Sequence, residues 1–230
     1  RFHMNKIKAV LIDIDDTLLD FSKCAEESMR ISCAANKLEY TQSLCDAFHE
    51  VNDMLWQRIE LGSLTPKELH RIRWNLIFEK RGIKADGEAF EADFFKNLSE
   101  TSVPVDGALD LLKYLSRKYS VYTASNAAHR QQAQRLQKSG MLQYIKDCIT
   151  SVEIGFQKPT KEFFDVCMQR LGGISKDEIV IIGDSLTADI EGGISYGIKT
   201  IWFNKYGKNP LKDINPDFTV TSLSDIKSLL

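Results

Sequence analysis

The sequence predicts an α/β fold, in which helices cover both faces of a parallel sheet and an all-α domain is inserted after the first strand. Two observations support this fold class. Short apolar runs alternate with helical stretches over most of the chain, which is typical of parallel sheets covered on both sides. Residues 20–100 break the alternation, because they contain four stretches with helical periodicity and no strand pattern.

The first predicted strand is IKAVLIDI at residues 7–14. Its apolar residues follow one another with little alternation, which is typical of a strand buried on both faces of a sheet. Five further apolar runs are predicted strands, at residues 119–125, 148–150, 178–184, 199–203 and 218–221. The helical stretches that separate or follow them lie at residues 107–118, 127–138, 160–171, 186–195 and 222–229.

The helical interval is too long for a simple crossover between two strands and predicts a domain of its own. Asp20 is expected to begin its first helix, and Thr65 with Glu68 has the pattern of a capping box. The predicted domains are therefore a core of residues 1–19 plus 101–230 and an inserted helical domain of residues 20–100.

Composition limits the classes of partner. The chain has 230 residues, 43% of them hydrophobic, and a formal net charge of −2. This balance gives no electrostatic reason to expect a nucleic-acid polymer or an anionic membrane as partner, whereas a small anionic substrate fits. The five cysteines show no CxxC spacing and favour reduced thiols over zinc or disulfides. With no long apolar run and with Asp13 interrupting the first one, we expect neither a membrane span nor a signal peptide, and a cytoplasmic location.

Two carboxylates follow the first predicted strand directly. Asp13 and Asp15 are two residues apart, and in extended geometry such residues point the same way. We therefore expect them to converge at the carboxyl end of the strand, the edge where open α/β sheets bind ligands. A single aspartate would only indicate a turn, but two of them with Thr17 after a buried strand indicate a site.

A second acidic cluster, GDSLTADI at residues 183–190, follows another predicted buried strand. If this strand neighbours the first, Asp184 meets the first pair of carboxylates, with Asp189 in the turns that follow. Crowded carboxylates raise one another's pKa and resist ionising, and a hard divalent cation relieves this. Mg²⁺ fits such an oxygen donor set.

Two further segments add groups suited to phosphate. Ser125 and Asn126 follow a strand and offer hydroxyl and amide donors, although alone they would indicate a helix cap. Lys158 precedes Pro159 just ahead of a helix. Beside a carboxylate cluster, its ammonium would anchor phosphate and balance charge.

These four segments, in this order, resemble the haloacid dehalogenase (HAD) superfamily of phosphotransferases with an aspartate nucleophile. The resemblance implies a Rossmann-like three-layer core with an inserted helical cap. It also implies roles: Asp13 as nucleophile and Asp15 as general acid and base. Mg²⁺ would bind the carboxylates of Asp13 and Asp184 and the backbone carbonyl of Asp15, with Asp189 supporting the metal. Ser125 and Lys158 would hold the transferring phosphoryl group, and Thr17 and Asn126 are further candidates for substrate binding.

Asp15 distinguishes two reactions within this superfamily. Similar dehalogenases lack the second carboxylate, because a leaving halide needs no proton, whereas a leaving alkoxide does. The presence of Asp15 therefore favours phosphate-ester hydrolysis.

A narrower resemblance points to bacterial pyrimidine 5′-nucleotidases of the house-cleaning kind. It rests on the segments 155–164 and 181–193 and on the helical segment 55–74, in which Trp56 and Arg73 are candidate substrate contacts. Three residues depart from the subfamily pattern: Ser125 replaces Thr, Trp74 replaces Phe, and Ala127 replaces Gly.

The sequence thus predicts a Mg²⁺-dependent phosphatase that acts on a small phosphorylated metabolite, most consistent with a pyrimidine nucleoside 5′-monophosphate, as a monomer or homodimer. Other small-molecule HAD hydrolases stay open, including a phosphoglycolate or sugar phosphatase and a β-phosphoglucomutase-like mutase. A non-enzymatic phospho-acceptor module is the third alternative. Such modules need only about 120 residues and no helical cap, so this alternative agrees less well with the length and predicted insertion of this chain.

Overall fold

The core is a six-stranded, fully parallel sheet. The computed structural model describes residues 6–230, so the first five residues of the predicted core range lie outside the described part. The strand order is β3-β2-β1-β4-β5-β6. The strands are β1 (Ala9–Ile12), β2 (Ser120–Ser125), β3 (Asp147–Thr150), β4 (Ile179–Gly183), β5 (Lys199–Phe203) and β6 (Phe218–Val220).

Helices of the core cover both faces of this sheet, and further helices belong to the helical interval. Ten α-helices are described: α1 (Phe21–Ala35), α2 (Gln42–Glu60), α3 (Pro66–Arg81), α4 (Gly87–Glu100), α5 (Ala108–Ser116), α6 (His129–Lys138), α7 (Ser151–Ile154), α8 (Lys161–Leu171), α9 (Gly192–Tyr196) and α10 (Ile226–Leu229). The short α7 was not predicted from the sequence. The fold-class prediction is confirmed, because the sheet is parallel and lies between layers of helices.

Strand β1 occupies the middle of the sheet. Ala9 lies opposite Ser120 of β2 on one side and Ile179 of β4 on the other. Alternate residues of β1 enter different apolar cores: Val10 packs in the core that includes α5 and α10, while Leu11 packs in the core that includes α8. This explains the continuous apolar run, since both faces of the strand are buried.

The chain divides into two compact units. One holds the described residues up to Phe21 together with Val103–Leu230, and the other is Ser22–Ser102. The sequence-derived boundaries, after residues 19 and 100, lie two residues earlier at each end. The second unit contains the helical interval, and its role as a cap stays a prediction.

Local signals explain the elements of the helical unit. The side chain of Thr65 accepts a hydrogen bond from the N–H of Glu68, and the Glu68 carboxylate accepts one from the N–H of Thr65. This confirms the predicted start of α3, which ends at Gly82 in the left-handed conformation. Trp74 is fully buried and packs against Phe90 with a ring-centroid separation of 4.4 Å.

The turn after β1 differs from expectation in one respect. Asp16 has a positive φ of 59°, and its Oδ1 accepts a hydrogen bond of 3.0 Å from the N–H of Phe21, the first residue of α1. Asp16 therefore stabilises the start of α1, a role that the sequence did not suggest. Asp20, the predicted start of that helix, accepts a hydrogen bond of 3.3 Å from Lys205.

The helix after β4 is irregular. The sequence predicts one helix over residues 186–195, but the structure has a π-helical segment at Leu186–Glu191 followed by the short α9. In the wider turn, Asp189 Oδ2 accepts a hydrogen bond of 3.1 Å from the N–H of Ser185. Such segments are frequent at functional sites, and this one bears a predicted site residue.

None of the helices in residues 6–230 combines the length and the apolar character required to cross a membrane.

Candidate active site

The carboxyl ends of β1 and β4 bring three aspartates together. Asp13 follows β1, and its backbone N–H continues the ladder by donating to the carbonyl of Ile182 at 2.9 Å. Asp184 follows β4, and Asp189 comes from the π-helical segment. One carboxylate oxygen from each of the three lies within 4.8 Å of the others. The neighbouring strands therefore bring the two acidic segments into contact.

Lys158 supplies the positive charge of this cluster. Its ammonium donates hydrogen bonds to Asp13 Oδ1 at 2.9 Å, to Asp189 Oδ1 at 2.6 Å and to the carbonyl of Ala124 at 2.7 Å. The residue is only 3% exposed, and the peptide bond to Pro159 is cis. A lysine 145 positions along the chain from Asp13 thus becomes its direct ionic partner.

Asn126 holds the backbone at Lys158. Its Oδ1 accepts from the N–H of Lys158 at 2.8 Å, and its Nδ2 donates to the carbonyl of the same residue at 3.1 Å. Because both ends of the amide are engaged, the contacts favour a positioning role for Asn126 over the predicted substrate contact.

Asp184 is oriented from two sides. Thr17 donates to its Oδ1 at 3.2 Å, and the indole N–H of Trp202 donates to its backbone carbonyl at 2.9 Å. Thr17 is fully buried, so its contact likewise favours positioning a carboxylate over the predicted substrate contact. Trp202 could not be predicted from the sequence, because it lies in an apolar strand without any local signal of function.

Burial and crowding raise the pKa values of the carboxyl groups. Burial raises the pKa of Asp13 to about 7; Lys158 opposes this increase, and the charge of Asp189 adds to it. Burial, with the charges of Asp13 and Asp189, also holds the pKa of Asp184 well above its ordinary value. Burial alone would lower the pKa of Lys158, but the two carboxylates outweigh it and keep the pKa raised. One ammonium therefore does not balance three carboxylates.

The donor set fits a hard divalent cation. Asp189 uses both oxygens, one for Lys158 and one for the N–H of Ser185. Asp13 and Asp184 each engage only one oxygen in the described contacts, which leaves Oδ2 of each available as a metal ligand. Two buried carboxylates and the half-buried carboxylate of Asp184, with a single ammonium, carry the excess negative charge that Mg²⁺ would neutralise.

Asp15 does not join this cluster through its side chain. Strand β1 ends at Ile12, so the expectation that residues 13 and 15 point the same way does not apply beyond the strand. The carboxylate of Asp15 accepts a hydrogen bond of 2.7 Å from Arg135 and one of 2.8 Å from Gln132, both on α6. The two predicted catalytic carboxylates thus have different hydrogen-bond partners, although the charge of Asp15 still contributes to the raised pKa of Asp13.

Gln132 also connects to Ser125. Its Nε2 donates to Ser125 Oγ at 2.9 Å, and the same oxygen accepts from the N–H of Ala127 at 3.2 Å. Ser125 keeps its own hydroxyl hydrogen for a further acceptor. Gln132 and Arg135 were not predicted as site residues, because their spacing of three on a predicted helix is a weak signal.

The two candidates in the helical unit have different surroundings. Arg73 is 2% exposed, donating to Glu91 at 2.6 Å and to Asn52 at 2.9 Å. These contacts favour a structural role for Arg73 within the unit over the predicted substrate contact. Trp56 on α2 is partly exposed, and its contact with substrate stays a prediction.

Comparisons with known proteins agree with this fold. The family model of the haloacid dehalogenase-like hydrolases matches residues 7–197. The HAD-hydrolase YfnB of Bacillus subtilis is 32% identical over 99% of this chain and 97% of its own. A crystal structure of YfnB bound to magnesium superposes with a TM-score of 0.92, covering 98% of this chain and 99% of the other.

Two further relatives are named for their activity. The pyrimidine 5′-nucleotidase PynA of Streptococcus pneumoniae is 32% identical over 97% of this chain and 94% of its own. The pyrimidine 5′-nucleotidase YjjG of Escherichia coli is 27% identical over 96% of each chain.

The sheet, the aspartate-lysine cluster and these relatives together define a phosphoric monoester hydrolase. The chain belongs to the haloacid dehalogenase-like hydrolase family.

Proposed function

We propose that this hydrolase is a Mg²⁺-dependent nucleoside 5′-monophosphatase with a preference for pyrimidine nucleotides, acting in the cytoplasm as a monomer or homodimer. The observation that carries the proposal is the cluster of Asp13, Asp184, Asp189 and Lys158 at the sheet edge, in which all but the half-buried Asp184 are buried. The substrate class is supported by two relatives named as pyrimidine 5′-nucleotidases that match nearly the whole chain.

The metal would be held by the available oxygens of Asp13 and Asp184. Asp189 acts one step away, because its two oxygens hold Lys158 and the backbone of Ser185. When bound, Mg²⁺ neutralises the excess negative charge of the cluster and of the substrate phosphate.

In the first step, an oxygen of Asp13 attacks phosphorus and a bond from phosphorus to the ester oxygen breaks. The departing alkoxide takes its proton from the protonated carboxyl of Asp15, and Asp13 carries the phosphoryl group as an aspartyl-phosphate. Lys158 and Ser125 hold the phosphoryl oxygens, which limits the charge that builds up in the transition state.

In the second step, a water molecule attacks the phosphorus of the aspartyl-phosphate. Its proton passes to the carboxylate of Asp15, and the bond from phosphorus to the Asp13 oxygen breaks. The products are inorganic phosphate and a free Asp13 carboxylate, with Asp15 again protonated for the next cycle. Each turnover therefore consumes one ester and one water.

The helical unit would select the substrate. Trp56, which is partly exposed, offers an aromatic face on which a base can stack. A cap that covers the site would also exclude water other than the attacking molecule.

The proposal is tested by measuring phosphate release from UMP, dUMP, TMP, AMP and p-nitrophenyl phosphate, with Mg²⁺ and with EDTA. We expect turnover of the pyrimidine nucleotides that needs Mg²⁺ and disappears in Asp13→Asn. The exposed Asp110→Asn on α5 is the matched control and keeps full activity. Full activity in Asp13→Asn would exclude the mechanism.

The same assay separates the alternatives. A preference for phosphoglycolate or a sugar phosphate over every nucleotide would replace the substrate class and keep the mechanism. Isomerisation of a sugar phosphate without release of phosphate would indicate a mutase. A phosphorylated Asp13 that persists for minutes would indicate a phospho-acceptor module.

A further inference from the structure

Helix α6 carries buried polar side chains that the cluster of aspartates does not explain, among them Gln132 and Arg135. Gln132 is fully buried and Arg135 is 1% exposed. They are three residues apart, so they lie on the same face of the helix. A buried guanidinium is costly unless its N–H groups are satisfied, and here Asp15, which is a carboxylate between the two proposed proton transfers, accepts from it.

The two side chains hold both oxygens of the Asp15 carboxylate. Arg135 donates to Oδ1 at 2.7 Å, and Gln132 Nε2 donates to Oδ2 at 2.8 Å. Arg135 also donates to Gln132 Oε1 at 2.9 Å, which closes a ring of three residues. The ring fixes the amide orientation of Gln132, because the reversed amide would place its oxygen against the carboxylate and its N–H against the guanidinium.

The ring extends to the phosphate side of the site. Gln132 Nε2 donates its second hydrogen bond to Ser125 Oγ at 2.9 Å, and Ser125 is the proposed phosphoryl ligand at the end of β2. A single amide therefore sets the distance between the proposed acid and base, Asp15, and a group that would hold the phosphoryl oxygen.

We infer that Gln132 and Arg135 are positioning residues, which hold the Asp15 carboxylate at a fixed place relative to the phosphoryl site. The inference rests on the proposed function, since it assigns them to the proton-transfer step of that reaction. Asp15 lies in the turn after β1, and its side chain is 30% exposed, so without these bonds it would sample several rotamers. Neither residue needs to touch the substrate.

The consequence is a dependence on the leaving group. The alkoxide of a nucleoside needs a proton as it departs, whereas p-nitrophenolate is a stable anion and needs little help. The parameter kcat/KM reports the steps up to the first irreversible one, here phosphoryl transfer to Asp13. Loss of positioning at Asp15 therefore lowers kcat/KM for UMP much more than for p-nitrophenyl phosphate.

The experiment compares both esters in the wild type, Arg135→Lys, Gln132→Met and Asp15→Asn. We expect kcat/KM for UMP to fall about 100-fold in Asp15→Asn and at least about tenfold in the two α6 variants, because general acid catalysis contributes on this scale. We expect kcat/KM for p-nitrophenyl phosphate to fall by less than about threefold in the same variants, because its leaving group needs little help from an acid. Arg170→Lys, at an arginine paired with Asp147 and Glu153, is the control for a conservative change and retains wild-type values.

A double variant separates positioning from a general structural effect. If Arg135 acts through Asp15, then adding Arg135→Lys to Asp15→Asn should not lower kcat/KM for UMP any further. Equal losses for both esters, or losses that simply multiply in the double variant, would overturn the inference. If Arg135→Lys fails to fold, Gln132→Met carries the same comparison, including its own double variant. A wild-type protein that hydrolyses neither ester would overturn the proposed function itself, and the inference with it.

Discussion

Gly183 leaves the space that the Asp189 carboxylate occupies. A Cβ atom at residue 183 would lie 2.1 Å from Asp189 Oδ2, which is far inside van der Waals contact. Asp189 is fully buried, and its two oxygens hold the Lys158 ammonium and the N–H of Ser185. The glycine at the end of β4 is therefore required by close packing against a site residue.

Gly183→Ala should displace Asp189 and, through it, Lys158. We expect kcat to fall about 100-fold, since displacements near 1 Å have effects of this order, and unfolding free energy to fall by about 1–3 kcal/mol. Gly172→Ala is the control: its φ of 62° disfavours alanine, but nothing lies within 4 Å of the added Cβ. That variant should lose about 1 kcal/mol of stability with unchanged activity. If the two variants lose activity equally, the displacement of Asp189 is not the cause.

Removal of the Lys158 ammonium should destabilise the metal-free protein. Lys158→Met leaves Asp13 and Asp189 buried without their cation, and we expect a loss of about 3–5 kcal/mol in denaturant unfolding. Adding Asp189→Asn removes one of the two uncompensated charges and should restore part of the loss. A double variant that is less stable than Lys158→Met would contradict this account of the cluster.

Mg²⁺ should stabilise the protein more at high pH than at low pH. The pKa of Asp13 is raised from 3.8 to about 7, so the folded metal-free protein holds an extra proton between these values, and the contribution of this group to stability falls as pH rises through that interval. Because Mg²⁺ binds the ionised carboxylate, the Mg²⁺-induced increase in Tm should be larger at about pH 8 than at about pH 5.5. Differential scanning fluorimetry at both pH values measures this. In Asp13→Asn the difference should become smaller but not vanish, because the pKa of Asp184 is also raised. An unchanged difference would assign the effect to a group other than Asp13.

Replacing Arg73 should affect stability, whereas replacing Trp56 should affect substrate binding. Arg73→Met leaves Glu91 buried without its guanidinium, and we expect a loss of about 3–5 kcal/mol with a lowered Tm. Trp56→Ala should raise KM for UMP about tenfold, in the range of base stacking on an aromatic ring, with little change in Tm. A well-folded Arg73→Met with a raised KM would instead make Arg73 a substrate contact.

The sheet could be predicted because its signals are local. The apolar runs around Val10, Val180 and Ile201 reflect burial on both faces, which the amino-acid types alone indicate. The start of α3 was predicted for the same reason, since Thr65 and Glu68 are three residues apart. The irregular helix after β4 could not be predicted in this way, because Asp189 in that turn contacts Lys158, which is 31 positions away along the chain.

The order of the motifs was enough to predict which residue types gather at the sheet edge: aspartates, a lysine and a serine. Folding determined what each of them contacts. Asp15 turned to α6, Thr17 and Asn126 became supports, and Arg73 entered an ion pair. The contacts of Asp15 with Gln132 and Arg135 span 117 and 120 positions along the chain. Periodicity and spacing describe neighbours within an element, whereas such contacts depend on how the elements pack, and therefore only the folded chain shows them.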